Sequence, residues 1–265
     1  MVAMANRLVR SQSCNLQCPG VFLFLFLTAA LAGALNSVAG GGSFLALPAL
    51  MYAGVPPVSA NATTTFAMWP GSIASAVAYR DDIKVGRRWL LPMGVVSVAG
   101  GLLGGQLLML TSDFGFMRLL PWLMLLAALT FTFGGAMTPD LGGARAHTMS
   151  PWALLLQLVI ATYGGYFGGG IGFMMLAAMS VAGLTNIHEM NGLKVLLAVA
   201  INGVALAAFV LHGAVAWAPG LTMAAGGIVG GYGGAGLARR LPPARVRAAV
   251  TVVAWVLTGY FFLGK

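Results

Sequence analysis

The chain has 265 residues, of which 59% are hydrophobic and only 7% are charged, and its mean hydropathy is +0.91. This composition excludes an ordinary water-soluble globular domain and indicates a protein that crosses the membrane several times. Five acidic residues stand against fourteen lysines and arginines, which gives a formal net charge of +9. The basic residues lie in short breaks between apolar runs, as is typical of membrane topology, so the charge does not predict a nucleic-acid partner.

Long uncharged segments predict the membrane helices. Residues 11–79 and 195–238 contain no Asp, Glu, Lys or Arg. A crossing needs about 20 apolar residues, and continuous rather than alternating apolar residues favour helices over a β-barrel. We therefore predict an all-α, polytopic membrane helix bundle with about seven or eight crossings. The predicted crossings are Val21–Val38, Val58–Tyr79, Trp89–Leu110, Phe116–Ala136, Pro151–Phe167, Asn191–Leu211, Val215–Ala238 and Ala244–Leu263.

Two further apolar segments, Ser43–Ala53 and Ile171–Gly183, have only about half of the length that a crossing requires. Each of them follows a run of glycines. We predict that both form half-helices or re-entrant segments.

The two short segments align with each other at an offset of 129 residues, which brings Phe44 onto Phe173. Asn61 then aligns with Asn191 after one inserted residue, and two glycine-rich helices match further along the chain. The sequence therefore predicts a duplicated membrane unit. The predicted regions are an N-terminal tail (1–20), a first repeat (21–136), a linker (137–150) and a second repeat (151–265).

The basic loops bear on the orientation of the two copies. Residues 80–88 carry a net charge of +2, and residues 239–247 carry +4. With eight simple crossings these loops face opposite sides of the membrane, against the positive-inside preference. Either the number of crossings differs by one or the two halves are inverted.

Interrupted helices at corresponding positions of two halves indicate the substrate site of a secondary transporter. Glycine allows close approach of the backbone, and two helix N-termini that face one cavity carry partial positive charge, which favours an anion. The alternative is that these glycines only permit tight packing. The candidate binding glycines are Gly40, Gly41, Gly42, Gly168, Gly169 and Gly170.

Four polar side chains near the breaks complete the candidate binding site, with Thr64 close to Asn61 and Lys194 close to Asn191. Amides and hydroxyls can replace water around an oxyanion, although each asparagine can equally cap a helix. A cation inside a membrane helix marks a functional site unless it snorkels. Lys194 therefore contacts either the anion or a protein partner such as Glu189 or His188.

A second set of glycines lies at i, i+4 spacing in two of the predicted crossings. Small residues at this spacing allow helices to approach closely, so we predict a packing role for them and no binding role. They are Gly100, Gly101, Gly104, Gly105, Gly226, Gly227, Gly230 and Gly231.

Enzymatic and cofactor chemistry find no support in the sequence. The glycine runs lack the Gly-Lys-Ser/Thr ending and the strand context of a nucleotide-binding loop. Cys14 and Cys18 have no second pair and no nearby histidines for a zinc site. We predict no catalytic residue, no metal site and no cofactor.

The paired motifs resemble the TauE/SafE family of sulfite exporters. The resemblance is carried by Ala39-Gly40-Gly41-Gly42-Ser43-Phe44 with Gly54-Val55-Pro56-Pro57 and Asn61, and by Phe167-Gly168-Gly169-Gly170-Ile171-Gly172 with Met190-Asn191-Gly192-Leu193-Lys194. It covers most of the chain after the tail, and its motifs do not specify a substrate.

The resemblance implies a multi-pass permease of the bacterial cytoplasmic membrane for small sulfur-containing anions such as sulfite, sulfoacetate or a related organosulfonate. We expect export by alternating access, with the anion and the lipid bilayer as partners. A transporter for a metal or another cation is disfavoured because the predicted core offers no Asp or Glu and few histidines as ligands. A non-transporting structural membrane protein is the remaining alternative.

Overall fold

The structure is a computed structural model, and it describes residues 19–39, 41–78, 86–133, 151–182, 184, 186–238 and 243–263. Helices account for most of these residues and no strand occurs among them, which confirms the predicted all-α class. Residues 1–18 of the predicted tail, the linker and most of both basic loops lie outside the described ranges. The helices are α1 (Pro19–Ala39), α2 (Ser43–Tyr52), α3 (Pro57–Ala78), α4 (Arg87–Leu110), α5 (Asp113–Phe133), α6 (Pro151–Tyr166), α7 (Ile171–Val181), α8 (Ile187–Leu211), α9 (Trp217–Ala238) and α10 (Pro243–Leu263).

Four helices of the described part are long and apolar enough to cross a bilayer. They contain the segments Pro19–Asn36, Arg87–Leu110, Asp113–Phe133 and Glu189–Leu211. The other four predicted crossings coincide with α3, α6, α9 and α10, which have 16 to 22 residues. The total of seven or eight crossings stays a prediction.

The two short apolar segments form short helices, as predicted. α2 has 10 residues and α7 has 11. At a rise of 1.5 Å per residue, each spans roughly half of the hydrocarbon core. Both follow their glycine runs directly.

Two of the long helices begin earlier than the apolar pattern indicates. α5 begins at Asp113 instead of Phe116, and α8 begins at Ile187 instead of Asn191. Each has an acidic residue in its first turn, where a negative charge interacts favourably with the positive end of the helix dipole. In α8 the side chain of Asn186 also accepts a hydrogen bond from the backbone N–H of Glu189.

α3 and α8 are the interior helices of the bundle. α3 packs against α1, α2, α5, α8 and α9, whereas α8 packs against α3, α4, α6 and α7. The closest lateral pairs are α1 with α9 and α4 with α6. Asn61 in α3 and Lys194 in α8 therefore come from the centre of the bundle.

The i, i+4 glycines lie where these helices touch, which confirms their predicted packing role. A Cβ added at Gly104 would overlap the carbonyl oxygen of Thr162 in α6, and one added at Gly230 would overlap that of Ala30 in α1. A Cβ at Gly101 would lie 2.8 Å from the carbonyl oxygen of Ile201 in α8. These contacts require glycine because the neighbouring backbone occupies the space of a side chain.

Candidate functional site

The second glycine break connects α6 to α7 through Gly168, Gly169 and Gly170. Gly168 and Gly170 both have a φ of +80°, in the left-handed region that L-residues rarely adopt. This backbone reversal ends α6 at Tyr166 and starts α7 at Ile171. Glycine is thus required here by backbone conformation.

Polar side chains from two helices, α3 and α6, bind the backbone around this break. The Asn61 Nδ2 of α3 donates a hydrogen bond to the carbonyl oxygen of Tyr166 at 2.8 Å. The Tyr163 hydroxyl lies 2.9 Å from the carbonyl oxygen of Gly169 and 3.0 Å from that of Leu123, and can donate to either. Asn61 therefore contacts α6 and does not cap its own helix.

Lys194 lies on the α7 side of the second break. Its Cδ would be 3.4 Å from a Cβ added at Gly172, in the first turn of α7. The Nζ donates a hydrogen bond to Asn191 Oδ1 at 2.8 Å. Both residues are half-buried, and Lys194 is seven residues into α8, about 10 Å along its axis.

Glu189, one of the two alternative partners of Lys194, is bound elsewhere. Its Oε1 accepts a hydrogen bond from Asn186 Nδ2 at 3.2 Å. The side chain of His188, the other alternative, is outside the described part of the structure. The hydrogen bond found for Lys194 in the described residues is the one to neutral Asn191, so the ammonium charge is not balanced by a carboxylate there.

Asn202, like Asn36 a polar residue within an apolar run and so a sequence candidate for lining the cavity, lies near the second break. Its Oδ1 would lie 3.7 Å from a Cβ added at Gly168. The signal was present in the sequence, because Asn202 follows Asn191 by eleven residues, which is close to three helical turns and places both on one face.

The first glycine break is built differently. Gly42 has right-handed helical angles, φ −59° and ψ −32°, and a Cβ there would lie 2.5 Å from the carbonyl oxygen of Ala32 and 2.9 Å from Asn36 Cβ. The backbone N–H of Phe44 donates to the carbonyl oxygen of Gly41 at 3.2 Å. Gly41 and Gly42 are both buried, and Gly40 lies outside the described residues. Glycine at position 42 is needed because α1 leaves no room for a side chain.

Thr64 is buried one turn after Asn61. It is only 2% exposed, and its hydroxyl has no hydrogen-bond partner among the described residues. The adjacent Thr63 differs, because its Oγ1 accepts a hydrogen bond from the backbone N–H of Ala216 at 2.9 Å. When Asn61 is aligned with Asn191, Thr64 takes the position of Lys194.

An aromatic contact joins the first turns of the two short helices. The Phe131 ring of α5 lies 5.6 Å from the Phe44 ring of α2 and 4.8 Å from the Phe173 ring of α7, measured between ring centroids. The two half-helices therefore begin on either side of one side chain. The binding role of all the candidate glycines and polar residues stays a prediction.

Comparison with known proteins places the chain in a family. A family model described as sulfite exporter TauE/SafE matches residues 25–261. The chain is 31% identical to probable membrane transporter protein ORF9 of Sinorhizobium sp., over 78% of this chain and 79% of the relative. It is also 31% identical to probable membrane transporter protein YfcA of Escherichia coli K12, over 88% of this chain and 87% of the relative.

A probable membrane transporter protein of Haemophilus influenzae is 28% identical, over 88% of this chain and 91% of the relative. No solved structure matches the chain significantly. The family match covers nearly the whole described part, including both glycine breaks, and agrees with several apolar helices. The chain therefore belongs to the TauE/SafE family and is a multi-pass protein of a membrane-transporter family.

Proposed function

We propose that the chain is a permease for small anions that exports sulfite, sulfoacetate or a related organosulfonate across the bacterial cytoplasmic membrane by alternating access. The observation that carries this proposal is the position of Lys194. Its ammonium lies inside an interior membrane helix, next to the first turn of α7, with a neutral amide as its hydrogen-bond partner. A charge at such depth is costly and marks a substrate pathway.

The chemistry around Lys194 favours an anion over a cation. The positive end of the α7 dipole adds to the charge of the ammonium, so a negative solute is attracted and a metal ion is repelled. Lys194 is the only lysine or arginine between residues 151 and 238. The anion would therefore find one full positive charge at the second break, supplemented by Asn191 and by backbone amides at Gly168–Gly170.

Alternating access requires two halves that move against each other, and the helix contacts support a duplicated unit. If each helix of one half is replaced by its counterpart in the other, so that α1 corresponds to α6 and α5 to α10, contacting pairs map onto contacting pairs. The pair α1–α9 maps onto α6–α4, and the pair α3–α9 maps onto α8–α4. The pair α2–α10 likewise becomes α7–α5. Pairs that exchange in this way favour two related halves. Cysteine accessibility at positions 84 and 245 would decide whether the halves are inverted.

The membrane potential can drive export without a coupling ion. An inside-negative potential contributes about 2.3 kcal/mol per charge per 100 mV, which corresponds to roughly 50-fold expulsion of a monoanion. No intramembrane carboxylate is needed to carry a proton. Accumulation of the anion inside hyperpolarised cells would contradict this direction.

Transport by the purified chain in liposomes tests the proposal. Uptake of sulfite, sulfoacetate and sulfate is compared under an imposed potential, for the native chain and for Lys194→Met. Loss of a charge-assisted contact of about 1.5–3 kcal/mol lowers anion transport about 10- to 150-fold. Arg118→Met is the matched control, because Arg118 is an exposed cation stacked on Phe114 in α5 and transport should not change.

Unchanged transport by Lys194→Met would assign this lysine to snorkelling. If no anion crosses the membrane and a divalent cation does, the chain is a cation transporter. If no solute crosses although the protein is folded, the chain is a non-transporting structural membrane protein.

A further inference from the structure

One face of α8 carries a line of polar and small residues past the second break. At 3.6 residues per turn, Asn191, Lys194, Ala198 and Asn202 fall within an arc of about 80°. All four are half-buried. The adjacent face is tightly packed, since Leu193, Leu197 and Ile201 are at most 1% exposed.

We expect this face to border an internal cleft, because α8 is surrounded by other helices. α8 packs against α3, α4, α6 and α7. Polar side chains of membrane helices face the bundle interior or a water-filled cavity and not lipid. A half-buried asparagine on an interior helix should thus face space between helices.

Asn202 and Lys194 lie at opposite ends of the second break. They are eight residues apart, or about 12 Å along the axis of α8. Lys194 Cδ would lie 3.4 Å from a Cβ added at Gly172, in the first turn of α7, whereas Asn202 Oδ1 would lie 3.7 Å from one added at Gly168, just after α6. Because the Lys194 Nζ is bonded to Asn191, eleven residues before Asn202, the ammonium and the Asn202 amide offer an anion two separate positions along the helix.

We propose that Asn202 forms a second binding position for the transported anion, so that the anion passes between Lys194 and Asn202 along this face of α8. This rests on the proposed anion transport. No hydrogen bond to the Asn202 side chain is found within the described residues, which leaves its amide N–H groups able to donate to an oxyanion. A neutral amide binds an anion more weakly than an ammonium does, which suits capture or release next to the stronger position at Lys194.

Transport by variants of the full chain tests the role of Asn202. Asn202→Asp places a negative charge on the path and should slow sulfite transport by about tenfold or more through repulsion of the anion. Asn202→Gln keeps the amide and should transport within about threefold of the native chain. The thermal unfolding midpoint of each variant in detergent separates slow transport from misfolding.

Thiol labelling tests the cleft independently of transport. The chain has two cysteines, so Cys14→Ser and Cys18→Ser provide the background for Asn202→Cys and for the control Ile201→Cys. A negatively charged, membrane-impermeant methanethiosulfonate should modify Asn202→Cys at least about tenfold faster than the buried control. Equal labelling of the two, or native transport by Asn202→Asp, would overturn the inference. Absence of anion transport by the native chain would overturn the proposed function as well.

Discussion

The two glycine breaks have similar sequences but different physical requirements. Gly42, at the first break, has ordinary helical angles and lies against α1, so it needs only the absence of a side chain. Gly168 and Gly170, at the second break, have positive φ angles and need the conformational freedom of glycine itself. The same motif therefore provides space in one half and a backbone reversal in the other.

The surroundings of the two breaks differ in polarity as well. The backbone of the second break accepts side-chain hydrogen bonds from Asn61 and Tyr163, and Lys194 lies beside it. The position in the first half that corresponds to Lys194 holds Thr64, a buried and neutral hydroxyl. If the chain is a duplicated unit as predicted, it can bind an anion mainly at the charged half while the other half contributes packing and hydrogen bonds.

The largest effect is expected from side chains added at the second break. In Gly170→Ala, placing a side chain on a left-handed backbone costs about 1–2 kcal/mol, and overpacking against Ala127 costs about 1–3 kcal/mol. The Cβ would lie 2.9 Å from Ala127 Cβ. We expect the free energy of unfolding in bicelles to fall by about 2–5 kcal/mol.

Two matched variants separate the two contributions. Gly168→Ala has the same φ but meets no atom closer than 3.5 Å, so it should show the backbone cost alone. Gly42→Ala should show the steric cost alone. Replacement by asparagine, which tolerates the left-handed region, should recover stability at position 168 and not at position 42. Equal responses at the two positions would mean that the breaks do not differ in this way.

Asn61→Leu tests whether the two halves are held together at the second break. It removes the donor to the Tyr166 carbonyl and leaves a partly buried oxygen without that bond, which should cost about 1–3 kcal/mol of unfolding free energy. Asn202→Leu is the control, because Asn202 is half-buried and no hydrogen bond to its side chain is found in the described residues. A smaller loss for Asn61→Leu than for Asn202→Leu would contradict the cross-half contact.

The sequence predicted the local features better than the contacts between distant residues. The lengths of α2 and α7 follow from apolar runs that are too short to cross a bilayer, and the packing glycines follow from their i, i+4 spacing. The starts of α5 and α8 were missed because polar first turns do not continue the apolar pattern. The bond from Asn61 to Tyr166 spans 105 residues and depends on how α3 meets α6, which no local pattern encodes.

Thr64→Val tests whether the Thr64 hydroxyl, at the position that corresponds to Lys194, contributes to anion binding. Its hydroxyl has no hydrogen-bond partner in the described residues, so the free energy of unfolding should stay unchanged or rise. If the hydroxyl binds the anion as predicted, transport in liposomes falls about 2- to 10-fold, as expected for one neutral hydrogen bond.

Thr63→Val is the control for this variant. The Thr63 hydroxyl accepts a hydrogen bond from the Ala216 backbone, so its removal should lower stability. An equal loss of stability in both variants would show that the Thr64 hydroxyl is bonded in the folded protein. Unchanged transport by Thr64→Val would remove Thr64 from the binding site.

The smallest expected effect concerns the hydroxyl of Tyr166, which reaches the corner between α4 and α5. It donates to Thr111 Oγ1 at 3.2 Å, while the Tyr166 backbone oxygen accepts from Asn61. A double-mutant cycle with Tyr166→Phe and Thr111→Val should give a coupling of about 0.6 kcal/mol, the average for hydrogen bonds between membrane helices. Because Tyr166→Phe keeps the backbone oxygen, its effect should add to that of Asn61→Leu. A coupling near zero would mean that Thr111, at the corner between α4 and α5, does not anchor the end of α6. The second break would then be held by Asn61 and Tyr163 without a contribution from Thr111.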